Sequence, residues 1–490
     1  MPPSAAIEET RAISNLFQTG GPPNNVKILQ QFGTAAMPSA RHPHDPSGFW
    51  QAVKMWPLRG FFALLDQGLI SGSNFLIAIL LARWVSPQQY GAYALAFEVL
   101  LFLSIVYGAL ILEPLSVFGP STYKNDLRAY LGVLLRIHCG LSVLVIAAVF
   151  AGAAALHAIK PGSSFPDALM GVGVACPCLL LFWLARRGFY VHLQPRNAAL
   201  GACAYSAAVL AGLAIVFELH ALTPLTAFLI MAAGAVITGP PMLRWFKSHL
   251  PPLPGRRIPI REVMREHWIY GRWALGSAIV IWLSGAIYYP ALGGFFNLAE
   301  AGSFKALMNL SSPIGQVYVA LSLLSLPYAA QVHHQEGQAV VGRLVWKLTG
   351  LYLGGSAIFW LIVILARDPI VHHLYGGKYT QVIALLPWVA LGSVLRIGAT
   401  AQANVLRAMR SPARVFAAYS TACLVAILLG IPCTRWLGLR GALFTWVISG
   451  AASFAGALFM IRRKAWRSDM ARESVAKVLV LQKEPSMSAE

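Results

Sequence analysis

An aspartate, two amides and two serines interrupt a run otherwise apolar enough for lipid, DQGLISGSNFLIAILLARW, from Asp66 to Trp84. Gln67, Ser71 and Asn74 are spaced four and then three residues apart, so on a helix they form one stripe. Ser73 lies off that stripe beside Gly72, a pair of small residues suited to close helix packing. Asn309, Ser312 and Gln316 repeat the stripe further along the chain. Two carboxyls, Asp66 and Glu98, and three cations, Arg136, Lys305 and Arg396, also fall inside apolar stretches. Ionisable groups in such places are costly and are functional candidates by default. A carboxyl there takes up a proton, is compensated by a cation or is held by hydrogen bonds. Asp66 and Glu98 are therefore candidates for coupling to an ion gradient, and a structural hydrogen bond or ion pair is the plainer alternative. A guanidinium grips anionic oxygens in a two-pronged fork, which suits Arg396 and Arg136 to an anionic ligand. For Lys305 and the arginines the alternative is a long side chain reaching back to the membrane surface.

The elements that carry these residues must be membrane helices. Of 490 residues, 57% are hydrophobic and only 11% charged, whereas a soluble domain has about 25% charged residues. Apolar runs near the roughly 20 residues a spanning helix requires recur from Phe61 to Ile461. They lack the period-two alternation of barrel strands. The reading is an all-α polytopic membrane protein with twelve spans, near 61–82, 90–112, 130–153, 167–185, 198–218, 222–243, 273–293, 303–326, 348–366, 380–405, 413–433 and 440–461. Residues 1–55, rich in Pro, Ala and Ser, read as a disordered cytoplasmic tail. Residues 244–272 read as a basic cytoplasmic linker between two six-span lobes, 56–243 and 273–466, and 467–490 as a second cytoplasmic tail. The six cysteines lie in or near spans, and Cys176-Pro-Cys178 has neither redox nor zinc spacing; no metal site is expected.

Sidedness follows from the basic residues. Arg59, Arg128, Arg186, Arg187, Arg196, Arg343, Arg407 and Arg462 to Lys464 fall on the side of the amino terminus, with few cations on the other. The positive-inside rule then places both termini in the cytoplasm. The net charge of +20 is spread over short loops, which argues against a nucleic-acid partner. Membrane lipids are the expected surroundings.

The two halves echo each other. SPQQYGAY at 86–93 aligns with NLAEAGSF at 297–304, an offset of 211 that puts Gly91 on Gly302 and Glu98 on Asn309. AYSAA at 204–208 matches AYSTA at 418–422. Six spans separate the copies, so both lobes have the same orientation, as in transporters built from parallel repeats with a cavity between the lobes. Recurrence of a polar group at Glu98 and Asn309 predicts a cavity wall there.

The stretch SGSNFLIAILLARWVSPQQYGAYALAFEVL resembles the first two helices of bacterial polysaccharide-biosynthesis membrane proteins. These are Wzx-like flippases of the multidrug/oligosaccharidyl-lipid/polysaccharide (MOP) exporter superfamily. AGSFKALMNLSSPIGQVYVALSLLSLPYAA is similar to their eighth helix, and LYGGKY to the turn before their tenth. The resemblance covers residues 56–466. It implies two six-helix lobes in the bacterial cytoplasmic (inner) membrane that move a lipid-linked oligosaccharide by alternating access, for exopolysaccharide, capsule or O-antigen synthesis. It implies no cofactor beyond a proton or sodium gradient, and glycan polymerase and export machinery as partners. In that reading Arg396, Arg136 and Lys305 meet the pyrophosphate, and Gln67, Ser71, Asn74, Asn309, Ser312 and Gln316 meet the sugars.

Two other functions compete. A MATE-like multidrug or organic-cation antiporter has the same fold but would prefer acids to cations in its cavity. A membrane glycan polymerase or ligase would need a sizeable outer loop with catalytic groups, and no such loop is present; the expectation is that the chain is not an enzyme. His372-His373 lacks a carboxylate partner, and no phosphate-binding Walker motif occurs.

Overall fold

A computed structural model describes residues 46–250, 258–336, 338–409 and 411–481. Met1–Leu58 and Arg59–Glu490 separate into two units, and apart from the start of the first helix the elements belong to the second. Its secondary structure is helical throughout the described residues. The first half contains α1 (Pro46–Trp84), α2 (Pro87–Tyr107), a π-helical turn (Gly108–Leu112) and the short α3 (Glu113–Phe118). Then come α4 (Leu127–Ile159), α5 (Ser164–Val191), α6 (Pro195–Glu218) and α7 (Pro224–Ser248). The second half contains α8 (Ile260–Ala286), α9 (Tyr288–Phe295), α10 (Leu298–Asn309), α11 (Ser312–Glu336), α12 (Gln338–Leu365) and the short α13 (Arg367–Tyr375). It ends with α14 (Leu386–Ala408), α15 (Pro412–Leu428) and α16 (Gly430–Leu481), the last interrupted at Gly438 with φ 58°.

Among the described residues nine helices are long and apolar enough to cross a membrane, and the bent pair α8–α9 makes a tenth. The eighth span is divided between α10 and α11, and α15 is a shorter apolar helix. With these, each lobe has six spans. Both broken spans have the same cause. A proline ring displaces the carbonyl four residues earlier and removes one helical hydrogen bond. Pro290 acts on Ala286, where the 40° bend falls, and Pro313 acts on Asn309, where α10 ends. The expectation of an unbroken helix over 303–326 is therefore corrected.

Capping fixes where the helices enter. Ser86 caps α2 in a reciprocal box with Gln89, and Pro87 occupies the first turn, where its missing N–H costs nothing. Three boundaries differ from the sequence reading. Residues 46–55 of the expected disordered tail belong to α1, while 1–45 lie outside the described residues. Helix α16 continues through the expected tail as far as Leu481. The described residues of the expected basic linker are largely helical, because α7 runs to Ser248 and α8 begins at Ile260. The start of α8 is tied to the first lobe. Tyr123 donates to Glu266 Oε2 at 2.8 Å, and His267 bonds the Leu110 carbonyl at 2.8 Å and Tyr130 Oη at 2.6 Å. The carbonyl comes from the π-helical turn, a feature often found at functional positions.

Candidate functional site

The lobes meet where α2 crosses α10. A Cβ on Gly91 would stand 1.6 Å from the Leu298 carbonyl oxygen, and one on Gly302 would stand 2.6 Å from that of Pro87. Pro87 and Leu298 are related by the same 211-residue offset as the two glycines. The internal repeat is thus a physical pseudo-twofold, and its axis passes through the Gly91–Gly302 contact.

Polar bonds cross the seam beside it. Glu98 Oε1 lies 3.4 Å from Lys305 Nζ, each residue 9% exposed. The ammonium also lies 4.9 Å from the centre of the Phe97 ring and 5.4 Å from that of Tyr289. Asn309 donates to Tyr90 Oη across it at 2.5 Å, and within the second lobe Tyr375 donates to the Ala306 carbonyl at 2.8 Å. Nearer the α1–α2 turn, Arg83 donates to the His373 carbonyl, while Lys378 donates to the carbonyls of Arg83 and Val85 at 2.5 and 2.8 Å. Asn309 accordingly lies within the closed seam, Glu98 lies in the seam and also on the wall of a cavity beside it, and Lys305 is engaged by protein groups. Tyr288 and Tyr289 are buried.

The opposite halves of the same spans are more open. In α1, burial is continuous over Ile77 to Ile79 and at Leu81 and Ala82, whereas Gln67 and Gly68 are exposed. Residues 304–310 are all buried, whereas Gln316 and Val317 in α11 are exposed. Gln67 Nε2 donates to Ser71 Oγ at 3.2 Å, Ser71, Asn74 and Ser312 are half-buried, and Ser73 is buried with its hydroxyl on the Ile70 carbonyl.

Asp66, 1% exposed, is bound by the Arg186 guanidinium through two contacts, Nε to Oδ1 at 3.1 Å and Nη2 to Oδ2 at 2.5 Å. Tyr190 donates to Oδ2 at 2.6 Å. Arg186 and Tyr190 were missed from sequence because the fourth span was ended at residue 185; α5 continues to Val191 and carries both inward. A carboxylate and a guanidinium equally close to the same end of two spans was the available signal.

Arg396 is also on the fourth span of its lobe. Each arginine projects from the fourth span of its lobe and reaches the first. Arg396 Nη1 donates to Ser284 Oγ at 3.2 Å, and Nη2 donates to the Ser284 carbonyl and to Ser449 Oγ, both at 3.0 Å. Its guanidinium lies 3.9 Å from the centre of the Trp446 ring. Where Arg186 meets a carboxylate, Arg396 meets hydroxyls, a carbonyl and an aromatic face. Among the described residues no acid forms an ion pair with Arg396, and its Nε has no hydrogen-bond partner. Arg136 stands apart: it is exposed on α4 and bonds the Gly132 carbonyl of its own helix at 3.4 Å.

No family model matches the sequence, and no curated protein is similar to it by sequence. Solved structures do match the fold. One, an inward-facing conformation of a multidrug resistance MATE family transporter of the MOP superfamily, superposes with a TM-score of 0.67. It is 11% identical, over 82% of this chain and 95% of that one. An outward-facing conformation of such a transporter gives 0.58 at 11% identity, over 84% and 95%. A structure of the MATE multidrug transporter DinF-BH gives 0.59 at 14% identity, over 84% and 95%. The chain therefore has the MATE-like fold of two six-helix lobes.

Proposed function

We propose that this protein is an alternating-access transporter whose substrate is an anionic amphiphile of the lipid-linked oligosaccharide class. The reading rests on one observation. Among the described residues both buried carboxylates, Asp66 and Glu98, are matched by cations, while no acid neutralises Arg396. A half-buried guanidinium with no carboxylate partner and an unused donor favours an anion, and a two-pronged grip on phosphate oxygens is the contact a guanidinium is suited to make. Closure at the turns joining α1 to α2 and α13 to α14, with Gln67 and Gly68 of α1 and Gln316 and Val317 of α11 exposed, supports an inward-open state.

The fold neighbours favour a second reading, multidrug or organic-cation export, and taken alone they support it better than the first. One experiment separates the two. In vesicles, Arg396→Ala should abolish translocation of a polyprenyl-pyrophosphate glycolipid at unchanged protein abundance, and Arg396→Lys should restore only part of it. Export of a cationic dye by wild type and Arg396→Ala alike, with no glycolipid movement by either, would establish the multidrug reading instead.

A further inference from the structure

A cavity of about 680 Å³ lies at the lobe seam, on the face of α2 lined by Leu95, Glu98, Val99 and Phe102. The first lobe also contributes the α4–α5 turn, with Leu156, Ile159, Lys160, Ser163, Ser164 and Phe165. The second lobe contributes Trp282, Ile287, Pro290, Gly294 and Phe296. The volume falls within the roughly 300–1,000 Å³ of small-molecule sites.

Its polarity is divided along its length. The body is apolar, and the one carboxylate that reaches it, Glu98, is already held by Lys305. Its polar lining also includes Lys160, Ser163 and Ser164 at the α4–α5 turn, with Gln88 and Asn297 at the starts of α2 and α10. Lys160 is exposed and forms no ion pair among the described residues. Asp167, in the first turn of α5, is exposed and does not line the cavity.

An apolar chamber with one uncompensated ammonium among hydroxyls at its mouth matches a molecule with a hydrocarbon body and one anionic head. We infer that this cavity is a binding site for an anionic phospholipid, with an acyl chain against Phe102, Trp282 and Ile287 and the phosphate at Lys160. The lipid would bridge both lobes. This inference is independent of what the protein transports.

The test uses the full-length chain, delipidated and then offered phosphatidylglycerol and phosphatidylcholine in competition, with retained lipid counted by native mass spectrometry. Wild type should retain phosphatidylglycerol preferentially, and brominated phosphatidylglycerol should quench a tryptophan component that is absent in Trp282→Phe. Lys160→Glu should weaken phosphatidylglycerol retention about fivefold, the worth of one lysine beside an anionic headgroup, and spare phosphatidylcholine. Gly294→Trp directs a ring into space where a Cβ meets nothing within 4 Å, and should exclude both lipids. Lys160 is on the surface, so its variant tests the site even where Gly294→Trp fails to fold. Equal retention of the two lipids by wild type would overturn the site. So would unchanged retention in Lys160→Glu, or displacement of phosphatidylglycerol by free inorganic phosphate.

Discussion

At the scale of single residues, Asp66 and Glu98 are each paired with a cation inside the spans, and the two pairs have different uses. Asp66 and Arg186 belong to one lobe, with side chains 2% and 13% exposed. Removing one partner leaves a charge buried and unmatched, a loss of about 3–5 kcal/mol. Asp66→Asn should therefore lower the thermal midpoint, and adding Arg186→Gln should recover much of it; a normal midpoint in the single variant would show that the pair contributes nothing to the fold. Glu98 and Lys305 join the two lobes, so breaking them should shift a conformational balance more than it unfolds the chain. In Glu98→Gln, a thiol-specific reagent applied from outside should label Ala94→Cys faster, with the midpoint nearly unchanged. The sequence shows that Asp66, Glu98, Lys305 and Arg396 are unusual, since each is an ionisable group in an apolar run. It does not show their partners, because Glu98 and Lys305 are 207 positions apart and no local periodicity links them.

At the scale of helices, the crossing of α2 and α10 depends on two residues without side chains. Any Cβ at Gly91 would occupy the space of the Leu298 carbonyl, and backbone cannot swing aside as a side-chain tip can. Gly91→Ala should push the helices apart and leave the Asn309–Tyr90 bond unmade, so outside labelling of Ala94→Cys should rise. Gly276→Ala, whose Cβ would meet nothing within 4 Å, is the matched control and should label as wild type does. If the Gly91 variant labels no faster than this control, the crossing is not the point of closure. The glycines were legible, because the internal repeat alone aligns one with the other. The bends at Pro290 and Pro313 were legible in principle but were read through, since hydropathy is averaged along a span and a bend leaves that average unchanged. The start of α8 read as a linker because it is rich in charges, whereas Glu266 there accepts from Tyr123 of the first lobe.

At the scale of the whole molecule, the apolar runs and the repeat were enough to reach two six-helix lobes. The state they adopt was not legible, because inward-open and outward-open forms share the same spans and the same repeat. Reporter fusions test the orientation drawn from charge: both termini should report from the cytoplasm, and the turns at 86–89 and 367–379 from outside. A reporter in the 244–272 segment read from outside would reverse the assignment, and with it the direction of transport.

The closure near Arg83 and Lys378 is built from cations donating to main-chain carbonyls rather than to carboxylates. Dissolved salt weakens exposed ion pairs by screening one charge from another, and here the second partner carries no formal charge. On the side of the membrane expected to face a changing medium, the molecule can thus stay shut whether that medium is brackish or fresh. The acceptors are also beyond the reach of point mutation, since every residue supplies the same carbonyl; only the two donors can be lost.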